Sequence, residues 1–247
     1  MLSNLFHTLF YQPLYNGLVF FIGATPFLDV GIVVILFTFL VKLLLFPISK
    51  KSVQTQIKVR AIEPQVAKIK KQYQDNKQKQ AEETMKLYKD NNINPFSGIL
   101  LAFIQLPIIF ALFFVFSNGG LPTVDTNLLY SFVETPPLVN MNFLGVINVG
   151  EQSVILALLV AISSFFQMHF IMSKTNKSQT SKENDFTRQL QSQMKYFFPV
   201  MTGFAAYYIS GAISLYWITS NLFTIGQEVV LRKKSNLLVG QSQAPEA

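Results

Sequence analysis

The chain has 247 residues, of which 50% are hydrophobic, 13% are charged and 24 are Phe. Because soluble domains carry about 25% charged residues, this composition excludes an ordinary soluble domain and indicates a protein with several membrane spans. The formal net charge is +7 and there is no cysteine, which excludes disulfides, thiolate metal sites and a lipid-anchored cysteine.

The first 27 residues contain neither Lys nor Arg. Secretory signals need a basic start and mitochondrial transit peptides need arginines, so we expect neither. Residues 5–22 are rich in aromatic side chains and are interrupted by Pro13 and Gly17. We therefore predict that residues 1–27 form an amphipathic segment in the outer membrane interface, with Tyr and Phe at headgroup level.

Residues 28–48 predict the first membrane span, a helix from about Val30 to Ile48 that Pro47 kinks or ends. A single charge, Lys42, lies inside this span. A lysine near the bilayer centre costs about 2.5 to 3.5 kcal/mol on insertion scales. Two interpretations stay open. Lys42 snorkels to the interface, roughly 7 to 8 Å away along the helix, or it faces a water-filled cavity and is the working charge.

Residues 49–93 are basic and hydrophilic, with eleven Lys or Arg against five acids. Pro64 suits the first turn of a helix, and a polar turn at residues 75–79 separates two amphipathic stretches. The apolar positions recur at helical spacing, at Val66, Ile69 and Tyr73 in the first stretch and at Ala81, Met85 and Tyr88 in the second. This pattern predicts a cytoplasmic helical hairpin. No nucleic-acid motif accompanies the charge, so we expect no specific nucleic acid as a partner.

The rest of the chain alternates between apolar and polar segments. Span two carries Gln105 and Pro107, and span four is short and contains Pro199 and Gly203. The predicted order is span two at 94–117, an external loop at 118–150, span three at 151–172, a cytoplasmic loop at 173–193, span four at 194–210, span five at 211–231 and a cytoplasmic tail at 232–247. The predicted fold class is an all-α polytopic membrane protein, with five transmembrane helices and a cytoplasmic helical hairpin between spans one and two.

The distribution of basic residues predicts the orientation of these spans. Of the 20 Lys and Arg, eleven lie in 49–93, four in 173–193 and three in 232–234, and none lies in 1–41 or in 117–150. Because cytoplasmic loops carry the excess of Lys and Arg, we expect the N-terminus outside and the C-terminus in the cytoplasm. Five spans satisfy this parity, whereas four or six would put a basic segment on the wrong side.

No residue pattern indicates catalysis. The sequence contains no nucleophile with a base, no HExxH, no P-loop and no paired carboxylates within a span. His7 and His169 lie far apart and have no metal-ligand spacing. We expect no enzyme, no cofactor and no metal site. One runner-up function is a small transporter or channel subunit with a buried cationic site, although no inverted repeat accompanies it.

Four blocks of the sequence are distinctive. They are TFLVKLLLFPISKKS at 38–52, IEPQVAKIKKQY at 62–73, NPFSGILLAFIQLPIIFALF at 94–113 and SGAISLYWITSNLFTIGQ at 210–227. These blocks and their order resemble the YidC/Oxa membrane protein insertases. PLYNGLVFFI at 13–22 is also similar to the family's entry segment. The resemblance covers nearly the whole chain. It implies the short form, without the large periplasmic domain of Gram-negative members, in a bacterial cell (plasma) membrane.

The resemblance implies a hydrophilic groove that is open to cytoplasm and lipid. Such a groove receives hydrophobic helices of nascent membrane proteins and releases them into the lipid bilayer between spans three and five. The matching groove positions are Thr38, Lys42, Gln167 and Trp217. The family has an arginine at the Lys42 position, and a lysine keeps the positive charge but loses the bidentate fork. From the residues alone, Gln167 also suits an interhelical hydrogen bond and Trp217 an interfacial aromatic.

The resemblance also implies partners for the basic hairpin, namely the Sec translocon, the ribosome or the signal recognition machinery. The hairpin residues expected to meet such partners are Lys50, Lys51, Lys58, Arg60, Lys68, Lys70 and Lys71. Since the sequence has no nucleotide-binding motif, we expect burial of the substrate's apolar surface and the membrane potential to drive insertion.

Overall fold

The computed structural model describes residues 2–94, 97–117, 121–172 and 182–241, and 75% of it is helical. The helices are α1 (Leu2–Phe6), α2 (Gln12–Ala24), α3 (Val30–Leu44), α4 (Phe46–Ala61), α5 (Glu63–Gln72), α6 (Lys77–Asp90), α7 (Ser97–Ser117), α8 (Val154–Met172), α9 (Lys182–Tyr207) and α10 (Gly211–Gln241). Between them lie a π-helical turn at His7–Tyr11 and a 3-10 turn at Thr126–Leu128. Two short strands are β1 (Asn142–Phe143) and β2 (Ile147–Asn148).

The mostly helical fold is confirmed, with the small antiparallel hairpin of β1 and β2 as an addition that the sequence did not predict. The chain divides into two compact units. The first unit comprises residues 1–44 and 105–226, and the second comprises residues 45–104 and 227–247.

In the first unit, the N-terminal helix passes through both residues that were read as interruptions. Pro13 lies in the first turn of α2, where its missing N–H is not needed. Gly17 lies under the ring of Phe37 on α3, and a Cβ at this position would be 2.8 Å from Phe37 Cε2. The glycine therefore serves close packing of α2 on α3, which the ring contact of Phe21 with Phe37 extends at 5.7 Å between centroids.

The segment that joins α7 to α8, described from residue 121 to residue 153, is called here the α7–α8 loop. It is bound to α2 through Asn16, whose side chain donates to Leu128 O at 2.8 Å and accepts from Tyr130 N at 2.6 Å. It is bound to the start of α3 through Asp29, whose carboxylate accepts from Leu144 N at 3.1 Å. Asn16 and Asp29 are both buried, so this polar loop is held by buried side chains of the helices.

Helices α8 and α9 approach closely because small residues line their contact. A Cβ on Gly203 would lie 2.7 Å from Ala161 Cβ. Next to this contact, Ala157, Val160 and Ala206 form a buried cluster. Helices that lack bulky side chains at their contact can bring their backbones together in this way.

Helix α3 ends earlier than predicted. The sequence indicated a first span to about Ile48, but α3 ends at Leu44 and α4 begins at Phe46. Pro47 explains the break, since in a continuous helix its ring would clash with the carbonyl group of Leu43 and it has no N–H to donate. The proline occupies the first turn of the following helix instead.

In the second unit, α5 and α6 form the predicted hairpin. Gln80 Nε2 donates to Lys70 O at 3.0 Å, and the Lys79 ammonium lies 5.4 Å from the centre of the Tyr73 ring. The inner face of α6 differs from the prediction, because Ala81 and Met85 are exposed. The half-buried positions are Gln80, Glu83, Thr84, Leu87 and Tyr88. The shift arises because Gln80 pairs with a backbone carbonyl group of the neighbouring helix, so a polar residue takes the inner position.

Two further boundaries differ from the prediction. Residues 182–193 belong to α9 rather than to a loop, and α10 continues to Gln241, beyond the predicted span end at 231. Lys, Arg, Gln and Leu, which are good helix formers, occur in both extensions. The predicted loop at 173–181 lies outside the described residues. Helix α8 (Val154–Met172) lies within the predicted span three at 151–172 and ends at its last residue.

By length and composition, no single described helix is long and apolar enough to cross a membrane. The bent pair Val30–Leu44 and Phe46–Val59 passes such a test together, and Gln105–Phe116 and Val154–Phe170 are shorter apolar helices. The number of spans therefore stays a prediction.

Candidate functional site

Lys42 lies in the last turn of α3 and is half-buried. Its Nζ donates to Gln105 Oε1 on α7 at a distance of 3.2 Å. Both residues belong to the first unit. The bond anchors the ammonium group to a neighbouring helix, whereas a snorkelling lysine would extend along its own helix towards water.

Gln105 connects this lysine to a third helix. An ammonium group has three donors and no acceptor, so the amide oxygen of Gln105 faces Lys42 and its amide nitrogen faces the other way. That nitrogen donates to the hydroxyl oxygen of Tyr216 on α10. Tyr216 is only 3% exposed. The polar chain therefore crosses from α3 through α7 to α10.

The other predicted groove residues lie in the same unit but do not all join this polar chain. Thr38, one turn before Lys42, is 2% exposed and donates to Val34 O of its own helix at 2.6 Å. Trp217 is half-buried and packs against the cluster of Ala157, Val160 and Ala206. Gln167 on α8 is half-buried.

A second polar cluster joins α8 to α10. The buried Asn221 donates from Nδ2 to the hydroxyl oxygens of Ser163 and Ser164, both at 3.0 Å. All three side chains are less than 10% exposed. Asn and Ser side chains commonly tie helices together in apolar surroundings, so this cluster is an interhelical contact within the apolar bundle.

Most of the residues predicted to bind partners are accessible, but four of the seven lie on α4, before the hairpin of α5 and α6, and not within it. Lys50 is half-buried, and the side chain of Arg60 is outside the described part of the structure. The exposed members are Lys51, Lys58, Lys68, Lys70 and Lys71. This surface offers several positive charges on helices α4 and α5 of the second unit.

Gln105, Tyr216 and Asn221 were not among the predicted site residues. The sequence held a signal for two of them, because an amide side chain within an apolar run marks an interhelical hydrogen bond. Tyr216 carried no such signal, since a tyrosine is common at the ends of membrane spans. Long-range packing brings Gln105 and Tyr216 to Lys42 and brings Asn221 to α8.

The described residues hold no group of three His, Cys, Asp or Glu side chains that could bind a metal ion. The chemistry that the site does offer is one positive charge and several hydrogen-bonding groups among apolar helices. In surroundings of low dielectric constant, such a charge attracts an anionic group more strongly than it would in water.

Known proteins resemble the chain over most of its length. A family model described as 60Kd inner membrane protein matches residues 21–237. The membrane protein insertase YidC of Clostridium perfringens is 31% identical over 230 residues, which cover 92% of this chain and 87% of that protein. That of Oceanobacillus iheyensis is 30% identical over 208 residues, which cover 82% of this chain and 74% of that protein.

A solved structure is similar in fold. It is the crystal structure of an active YidC insertase with its first transmembrane domain resolved, and it aligns with a TM-score of 0.55 at 22% identity. The alignment covers 87% of this chain and 45% of that one. Together with the family match over most of the sequence, these similarities confirm the resemblance of the four sequence blocks. The chain therefore belongs to the 60Kd inner membrane protein family, which is the YidC/Oxa family.

Proposed function

We propose that this chain is a membrane protein insertase of the cell membrane, which passes apolar helices of nascent membrane proteins into the lipid bilayer. The observation that carries the proposal is the positive charge of Lys42, held within apolar helices by its bond to Gln105. Related proteins support it, because curated relatives that align over most of their length are named membrane protein insertase YidC. This name describes insertion and does not describe a catalysed reaction.

The substrate enters a groove that includes Thr38, Lys42, Gln167 and Trp217. Thr38 and Lys42 are four residues apart on α3, so their side chains project from the same face of the helix. Polar side chains retain water within the membrane and shorten the apolar distance that a substrate's polar tail has to cross. Lys42 attracts an acidic tail, and the apolar part of the substrate then moves into lipid because burial in lipid favours it.

We assign five spans to the chain. The first span consists of α3 and the first turns of α4. The other four are α7, α8, the apolar second half of α9 and the apolar first half of α10. The basic segments 49–93 and 232–234 place the hairpin and the C-terminus in the cytoplasm, and the N-terminus outside. The helix of residues 2–24 then lies in the outer interface, where its aromatic side chains are favourable.

The exposed lysines of α4 and α5 form a docking surface for the machinery that delivers substrates, which is the Sec translocon, the ribosome or the signal recognition machinery. Complementary charge speeds association with an acidic partner surface. Replacement of residues 63–90 by a short Gly–Ser linker should slow insertion in native membranes supplied with that machinery. The same deletion should leave insertion into liposomes that contain only this chain unchanged, and slowed insertion there would contradict a docking role.

The insertase function is tested in liposomes that contain only the purified chain. The substrate is a single-span protein with a short acidic tail, and insertion is measured by protection of the tail from external protease. We expect insertion by the wild type and by Lys42→Arg, reduced insertion by Lys42→Ala and none by Lys42→Glu. Lys195→Ala is the matched control, because Lys195 lies outside the groove and faces the Tyr196 ring at 5.7 Å.

Unchanged insertion by Lys42→Glu would contradict the role of the charge. Absence of insertion by the wild type, together with anion flux through the same liposomes, would support a transporter or channel subunit instead.

A further inference from the structure

The proposed function needs a positive charge at a defined place, and a lysine is poorly suited to provide one by itself. Its side chain has four methylene groups joined by freely rotating bonds, so the ammonium group can move towards the membrane interface. An arginine would instead bring a rigid, planar group with five donors. The ammonium group of Lys42 therefore needs neighbouring residues that hold it in place.

Gln105 and Tyr216 are these residues. Lys42 Nζ donates to Gln105 Oε1 at 3.2 Å, and Gln105 Nε2 donates to the hydroxyl oxygen of Tyr216. Because the ammonium group can only donate, the amide oxygen of Gln105 accepts from Lys42 and its amide nitrogen donates to Tyr216, so both bonds at Gln105 have one permitted direction.

The chain of bonds restricts Gln105 more than Lys42. Both ends of the Gln105 amide are engaged, one by Lys42 and one by Tyr216, so the side chain is held in one orientation. Tyr216 is itself fixed by burial, with 3% of its surface exposed. Lys42 uses one of its three donors on Gln105, which leaves donors for the anionic group of a substrate.

We propose that Gln105 and Tyr216 are positioning residues that hold the Lys42 ammonium in the groove and thereby set the preference of insertion for acidic tails. This inference rests on the proposed insertase function. Without Gln105, the ammonium group loses its acceptor and moves along α3 towards the interface, so the groove presents less charge. A carboxylate at the same position neutralises Lys42, and the preference is lost altogether.

The test compares two single-span substrates that differ only in the tail, which carries Asp and Glu in one and Asn and Gln in the other. The readout is the ratio of acidic-tail to neutral-tail insertion in liposomes with the purified chain. We expect Gln105→Met to lower this ratio by about threefold to tenfold, the net range of one typical hydrogen bond. Gln105→Glu should bring the ratio to one or below, and Tyr216→Phe should lower it less than Gln105→Met.

Tyr208→Phe is the matched control, since it removes the same hydroxyl group from an exposed tyrosine, and its ratio should equal that of the wild type. Tyr216→Phe keeps the ring, so it tests the proposal even where a substitution at Gln105 prevents folding. A purely structural role would lower insertion of both substrates equally and leave the ratio unchanged.

The outcomes separate the inference from the function on which it rests. A wild type that prefers the acidic tail, with unchanged ratios in all three variants, would overturn the positioning role alone. A wild type that inserts both substrates equally would overturn the charge preference and the inference with it. A wild type that inserts neither would overturn the proposed function as well.

Discussion

Asn16 holds the α7–α8 loop against α2, and its replacement by Ala should loosen that loop. The side chain is 2% exposed and makes two bonds to the loop, from Nδ2 to Leu128 O at 2.8 Å and from Tyr130 N to Oδ1 at 2.6 Å. Leu128 O also accepts a longer bond of 3.4 Å from Gln12 Nε2. The substitution therefore removes the acceptor of one backbone N–H and the shorter of two bonds to a carbonyl group.

The expected loss follows from these two bonds. A Tyr130 N–H without its acceptor costs about 1 to 2 kcal/mol, and the lost bond to Leu128 O removes about 0.5 to 1.5 kcal/mol. The total of about 1.5 to 3.5 kcal/mol corresponds to a rise of about 10- to 300-fold in the opening equilibrium of the loop, since 1.4 kcal/mol is a factor of ten. Local opening is what exposes protected amides to exchange with solvent.

Hydrogen exchange read by mass spectrometry in lipid nanodiscs measures this opening directly. The peptide that contains Tyr130 should exchange at least tenfold faster in Asn16→Ala than in the wild type. Asn127→Ala is the matched control, because Asn127 lies exposed in the same loop and bonds only locally to Asp125. Exchange within threefold of the wild type in Asn16→Ala would refute the claim that this side chain holds the loop.

Two further predictions concern the contacts of α8. Gly203→Ala should destabilise the protein by about 1 to 3 kcal/mol through overpacking, because the new Cβ would meet Ala161 Cβ at 2.7 Å. At Gly226, where nothing lies within 4 Å, the same substitution should stabilise α10 by about 0.5 to 1 kcal/mol. Thermal unfolding in detergent compares the two, and equal shifts would contradict the packing argument. For the polar cluster, a double-mutant cycle of Asn221→Ala with Ser164→Ala should give a coupling of about 0.6 to 1.7 kcal/mol. A coupling of zero would mean that this bond contributes nothing to the stability of the bundle.

The helices and the family could be predicted because their signals are local. Helix α8 lies within the predicted span at 151–172, since its apolar run ends in polar segments on both sides. The hairpin of α5 and α6 was also predicted, since Pro64 and a polar turn mark its parts. Boundaries failed where the signal was ambiguous. Charged residues after 182 suit a helix as well as a loop, and α3 ends at Leu44, about four residues before the expected Ile48, because of Pro47.

The sequence by itself also determined that a lysine lies in an apolar helix, because both the charge and the run around it can be read from adjacent residues. Only the tertiary structure decided what that lysine contacts. Its acceptor, Gln105, is 63 residues away along the chain, and the residue that orients Gln105 is a further 111 residues away. Likewise, the sequence indicated an interruption at Gly17 and gave no role to Gly203, and the packing showed both to be sites where two helices meet. The physical reason is the same in each case. Residue type and spacing determine local structure, whereas the partner of a buried polar or small residue depends on which distant segments fold against it.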